Sequence, residues 1–198
     1  MIEEKVKLPK GYKFVELPTE EFQKLWNEWG PKIFQSNDIS LDVQKILSDE
    51  ERLQIKNLHK NLIQLIRFNL CIFKGEEFCG WFTGDQYNNE TFYMRNSAIL
   101  PDHRRKGLYT ALLFEVLERV EKMGFQVVLS RHTTTNNSII IPKLKVGFVI
   151  TSIEVSDRFG TLVHLSYFFN EKRHRVMKFR SGELKPDNVL MTALRLIE

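Results

Sequence analysis

The sequence predicts a single α+β domain, a mixed α/β arrangement in which a central twisted sheet combines antiparallel and parallel strands and is flanked by helices. Two observations lead there. Three strand-length apolar blocks, separated by short turn signals, lie between residues 64 and 100 and imply an antiparallel meander. Leu108, Ala111, Leu112, Val116, Val120 and Met123 then recur at helical spacing before another apolar block. A strand, a helix and a further strand in that order require a right-handed crossover and parallel pairing. A length of 198 residues without internal repeat or Gly/Ser linker suits one domain.

Taken in order, Tyr12 to Leu17 alternates as a first strand. Pro18-Thr19-Glu20-Glu21 signals a helix with Thr19 as cap, and Phe22, Leu25, Trp26 and Trp29 form its apolar stripe. Gly30-Pro31 should interrupt that pattern. Ser48 followed by Glu51 offers a capping box for a second helix that Leu53, Ile55, Leu58 and Leu62 continue. Strands are expected over 64–74, 77–83 and 91–100, with turns at Lys74-Gly75-Glu76 and residues 85–89. The long helix carries Glu115 before Arg119 and Glu118 before Lys122, both favourable i,i+4 pairs, and Gly124 should end it.

Phe125 to Ser130 reads as an interior strand, and 137–146 as a short helix distorted or restarted at Pro142. Strands over 148–155 and 161–168 follow, joined at Asp157-Arg158-Phe159-Gly160. The domain boundary is drawn at residue 170. Residues 171–198 form a basic extension with a short amphipathic helix from Pro186 to Ile197, which either closes over the core or pairs with a second subunit in a homodimer. Its five Lys/Arg residues between Lys172 and Arg180 read as a solvated tail or helix face, so nucleic acid is not favoured as a partner.

Composition narrows the function classes. Twenty-nine basic against 25 acidic residues leave a formal charge of +4, a mild excess suited to a small anionic ligand. Two cysteines, Cys71 and Cys79, read as buried hydrophobes in a reducing compartment, and no ligand spacing suggests a metal. The first residues lack a signal-peptide pattern and no apolar run is long enough to span a bilayer, so the expected location is the cytoplasm, without a membrane partner.

The chemistry concentrates in residues 99–111. A strand ends at Ile99-Leu100, a loop carries Arg104, Arg105, Lys106 and Gly107, and a helix opens at Leu108. The first turn of a helix holds unpaired N–H groups at a positive dipole end, and three cations with a glycine beside it suit a phosphate. A solvated basic loop is the alternative. The loop is neither a Walker A sequence nor a dinucleotide turn.

The stretch from Pro101 to Leu113, with Asn136 through Phe148, resembles the acetyl-CoA-binding region of the GNAT family of N-acetyltransferases. Arg104-x-x-Gly107-x-Tyr109 is similar to the family's Arg/Gln-x-x-Gly-x-Gly/Ala loop, and Asn136 and Gly147-Phe148 stand where it has its Asn and its Gly-Phe. The resemblance spans about residues 12–168. It implies acetyl transfer from acetyl-CoA to a primary amine by direct attack on the thioester, with no metal. It also implies that amides from Arg105 to Thr110, Leu108 and Tyr109 included, hold the pyrophosphate. The strand end at Ile99 and Leu100 would hold the pantetheine arm and supply an oxyanion donor, next to a neighbouring strand that splays away.

The sequence departs from the pattern twice. Tyr109 takes the last Gly/Ala position, and Lys143 stands where the family has its Tyr acid. Lys143 is therefore a candidate to protonate or stabilise the thiolate, and His132, which titrates near neutrality when unperturbed, a candidate base or relay. The plain alternatives are a lysine that binds a phosphate or faces solvent, and a surface histidine bonded to a loop. His103 reads as added polarity beside the phosphate loop, and Glu90 and Tyr93 border the central strand, where they either face the acceptor or serve as turn and packing residues. Asp38, Asp42 and Asp49 either draw a cationic amine or are ordinary helix-flanking residues. The missing Tyr also favours a second function: a non-catalytic acyl-CoA-binding regulatory module with a degenerate site.

Overall fold

The computed structural model describes residues 6–34, 46–59 and 65–195. Seven strands form one sheet in the order β1-β2-β3-β4-β5-β7-β6: Tyr12–Glu16, Arg67–Lys74, Glu77–Gln86, Thr91–Ile99, Val127–Thr133, Gly160–Phe168 and Val149–Ser156. All neighbours are antiparallel except β4 and β5, which are parallel and joined through α3 (Leu108–Lys122) as the crossover rule demands. The remaining helices are α1 (Thr19–Phe34), α2 (Asp49–His59), α4 (Asn137–Val146), α5 (Glu171–Arg180) and α6 (Asn188–Ala193). None of the described helices is long and apolar enough to cross a membrane.

The sheet is covered on both faces, and alternation along β2 and β3 distributes the core. Leu70, Ile72, Cys79 and Phe82 face a cluster with Leu112, Val116 and Val120 of α3, whereas Cys71, Phe78 and Trp81 face Phe22 of α1. Burial pushes the Cys71 thiol up to about 12, which leaves it an inert hydrophobe.

Three local expectations are corrected. Gly30-Pro31 does not interrupt α1, which begins at Thr19 itself and runs to Phe34. Trp26, Phe34 and Trp81 pack ring to ring at 5.6–6.1 Å and hold the last turn in place, while buried Gly30 leaves room for the Trp26 indole. Pro142 likewise sits inside a continuous α4. The strand expected to stop at Ser130 continues to Thr133, because β7 pairs with it along that whole length.

The capping box at Ser48 is present: Ser48 N–H donates to Glu51 Oε2 at 2.7 Å and Glu51 N–H to Ser48 Oγ at 3.2 Å. Both ion pairs on α3 form, at 2.6 and 2.7 Å. The basic segment folds as α5, capped by Asn170, and is not a free tail. Arg173 bonds both oxygens of Glu90, and Arg175 and Lys178 pair with Asp187 and Glu183. Glu90 thereby anchors this helix. Asp38, Asp42, Leu62 and Ile197 lie outside the described residues.

Gly80 of β3 lies against β4, where a Cβ would stand 2.4 Å from the Ala98 carbonyl oxygen. Gly80→Ala is expected to lower stability by about 1–3 kcal/mol in urea unfolding, since backbone cannot yield as a side chain does.

Candidate active site

β4 pairs with β5 only from Thr91–Val127 to Met94–Ser130, although β4 runs on to Ile99 and β5 to Thr133. The outer edges stay paired, β4 with β3 and β5 with β7. The two strands therefore diverge and leave inner edges that need hydrogen-bond partners. A register shift between Thr83 and Gly84 places Arg95 as an extra residue of β4 just where divergence begins.

Leu100 N–H donates to Cys79 O at 2.8 Å, so it serves β3 and is not free for a ligand. That corrects the expectation for Leu100. Strand alternation turns the amides of Ile99 and Ser97 to the open side instead. There Arg104 Nε donates to the Ile99 carbonyl at 2.9 Å. Ser97, which the sequence did not mark, is the additional residue of this edge.

One cleft of about 590 Å³ runs along that edge, lined among others by Ser97, Ile99, Arg104, Arg105, Tyr109 and Asn136. Gly107 caps α3 with φ +77°, and Arg105 also has positive φ at 59°. The amides of the first helical turn that follows have no intrahelical partner and can serve an anion. No acidic residue occupies the first turn of α3 to compete for them. An anionic diphosphate fits these features.

Lys106 Nζ donates to the Asp102 carbonyl at 2.6 Å and keeps further N–H groups, while Leu108 is buried in the core and offers its main-chain amide alone, as expected. His103 is buried beneath the loop, bonded to Tyr12 Oη (2.9 Å) and Glu77 (3.2 Å), and acts as an anchor more than as phosphate polarity. Glu77, Cys79 and His103 bring three potential ligand atoms within 4.8 Å of one another, which their spacing had not suggested. Cys79 Sγ already donates to the Glu77 carbonyl, and His103 Nε2 already meets Glu77 Oε1.

A second cleft of about 400 Å³ meets the first at Phe34, Ser97, Asn136 and Ile139. Asn136, at the cap of α4, accepts from Ser138 Oγ at 2.9 Å and so borders both. Lys143 and His132 line the second cleft. Lys143 is neither solvent-facing nor on a phosphate: it is buried at 1% exposure. Its Nζ lies 2.6 Å from Ser130 Oγ and 3.3 Å from Met94 Sδ, the two residues of the last β4–β5 rung. The Phe148 ring lies beneath it at 5.1 Å. Burial brings the lysine down to about 7.

His132 stands within β5, not in a surface loop, and its Nε2 meets Ser130 Oγ at 2.8 Å. Burial first, and the Lys143 charge second, push it down to about 3. A neutral imidazole accepts from Ser130, which in turn accepts from Lys143. Tyr109 reaches the first cleft with its hydroxyl buried against Ser97 but without a hydrogen bond of normal geometry. Burial raises its pKa despite that neighbour, which keeps the phenol protonated.

Charging Lys143 in place opposes folding, and the sign follows from its lowered value. The unfolded chain holds the extra proton between about 7 and 10.5, so this contribution is fully unfavourable below about 7 and fades as pH rises toward 10.5. Lys143→Met is therefore expected to raise the melting temperature at pH 6 by about 5 °C, with the gap closing above pH 10. Thermal scans across pH test this.

The sequence profile of the acetyltransferase (GNAT) family matches residues 14–148. No curated protein matches the chain by sequence. Among solved structures, yncA from Salmonella typhimurium, with its cofactor acetyl-CoA, superposes with a TM-score of 0.59 at 15% identity, covering 82% of this chain and 96% of that one. The ribosomal-protein-S18-alanine N-acetyltransferase from Escherichia coli gives 0.56 at 16%, covering 80% and 94%. Spermidine N-acetyltransferase from Vibrio cholerae, with CoA and spermine, gives 0.56 at 13%, covering 81% and 96%. Identities this low speak for the fold alone. Together with the profile match over most of the chain, they show that this protein belongs to the GNAT acetyltransferase family, whose co-substrate is acetyl-CoA.

Proposed function

We propose that the chain transfers an acetyl group from acetyl-CoA to a primary amine by direct attack of the amine on the thioester. The observation that carries this is the gap between β4 and β5: where their pairing ends, a buried lysine that lines the second cleft touches both residues of the last rung. The structural neighbours named above act on an alanine of a ribosomal protein and on spermidine, so amines of different kinds suit this fold.

Main-chain amides of Arg105 to Thr110, with the Arg105 and Arg104 side chains, would hold the diphosphate of acetyl-CoA. The open edge at Ser97 and Ile99 would hold its amide-bearing arm, and Asn136 borders that path. Acetyl-CoA supplies the activated acetyl group. A free amide at Ile99 or Ser97 serves as donor where negative charge develops on the carbonyl oxygen.

A primary amine is mostly protonated at neutral pH and must shed a proton to attack. Lys143, held near 7, is partly neutral there and can accept it, and the resulting ammonium can supply a proton to the departing thiolate. Ser130 and His132 complete a bonded chain from Lys143 Nζ. His132, neutral through the working range, serves that chain as acceptor and not as a titrating base.

The regulatory alternative draws on Tyr109, whose ring occupies a position on the first cleft where a smaller residue would leave space. Thioester consumption with amines separates the two readings: persistent acetyl-CoA binding without turnover favours the non-catalytic module.

Gly107→Glu places a carboxylate at a residue with φ +77° and is expected to weaken acetyl-CoA binding at least ~10-fold by calorimetry, with the circular dichroism spectrum unchanged. Unchanged affinity would count against the loop. In the active protein, kcat at saturating amine should rise with pH through about 7. Lys143→Met should remove that step and lower kcat by about 10²–10⁴.

A further inference from the structure

We propose that the second cleft selects an amine that carries a carboxylate, an amino acid or a close derivative with its carboxyl group free, and that Arg95 and Arg131 hold that carboxylate. This rests on the acetyl-transfer reading and adds the substrate class.

Among its described lining residues the cleft has Arg95, Arg131 and Lys143 but no Asp or Glu. Arg95 comes from the bulge of β4 and Arg131 from β5, so one cation stands on each arm of the divergence. Both guanidinium groups lie against one ring, that of Tyr93, at 5.5 and 5.0 Å from its centre.

Their partners leave part of each guanidinium free. Arg95 binds buried Asp85 through Nε at 2.5 Å, and its two Nη groups carry no hydrogen bond among the described residues. Arg131 spends Nε on Tyr93 Oη at 3.1 Å and Nη1 on Glu154 at 3.1 and 3.4 Å, leaving Nη2. Glu154 is also held by His164 at 2.6 Å.

The charges do not cancel. Asp85 is shared by Arg67 and Arg95, so that group keeps one positive charge, while Glu154 balances Arg131. Lys143 adds a fraction of another. A polyamine would bring its distal ammonium groups to these guanidiniums and be repelled. A carboxylate finds charge-assisted donors in the planar fork geometry it prefers. With the cations on the arms and Lys143 at the apex, the carboxylate end is held away from the reacting amine.

The test is equilibrium binding to the protein saturated with coenzyme A, using the standard amino acids and short peptides, their C-terminal amides, and spermidine. A free carboxylate should bind at least ~10-fold more tightly than the matching amide. Arg131→Gln and, independently, Arg95→Gln should each reduce that preference several-fold with the coenzyme A affinity unchanged. Melting temperature confirms that each variant folds, and either variant alone suffices. Equal binding of the amide, tighter binding of spermidine, no binding by any carboxylate, or a preference that survives both substitutions overturns the proposal. Because binding is read without turnover, a preference that persists while no acetyl group moves would contradict acetyl transfer and leave the carboxylate site standing.

Discussion

The structure depends on two parallel strands that pair for four residues and then part. β4 and β5 are each secured on the outer side by a full-length antiparallel neighbour, so their divergence does not unravel the sheet. The main-chain groups along the gap must find partners, and a ligand arm bearing amides offers them. The bulge at Arg95 bends β4 away, and its ion pair with buried Asp85 fixes the bend.

Polarity at the apex follows from the same gap. The last rung brings Met94 and Ser130 together, and Lys143 of α4 closes over both with its ammonium removed from water. Such burial penalises the charged form and lowers the affinity for a proton, which suits exchange near neutrality. The stability lost by burying a lysine thus has a counterpart in chemistry, as expected where folding and function compete for one site.

Much of this was legible in the sequence. The meander, the crossover helix and the Arg104 to Thr110 loop follow from local periodicity and from residues whose roles are set within a few positions of chain. Gly107 is a clear instance, since its positive φ is a local demand. What escaped was set by distant packing. The Trp26–Phe34–Trp81 cluster carries α1 through Pro31, and β7 extends β5 past Ser130 and so places half-buried His132 in a strand beside the second cleft. Leu100 spends its amide on Cys79, a pairing that only the β3–β4 register reveals, and Ser97 inherits the open edge for the same reason. Arg95 and Arg131 carry no sequence signal as a pair because 36 positions separate them along the chain and only the sheet brings them to one ring.

A crystal structure with coenzyme A tests the divergence most directly. The account predicts the arm of the ligand lying between β4 and β5, bonded to main-chain groups of Ser97 and Ile99, with its sulfur beside Lys143 and the diphosphate against the opening turn of α3. Residues 95–99 paired directly with 131–133, or the ligand seated on another face of the sheet, would contradict it.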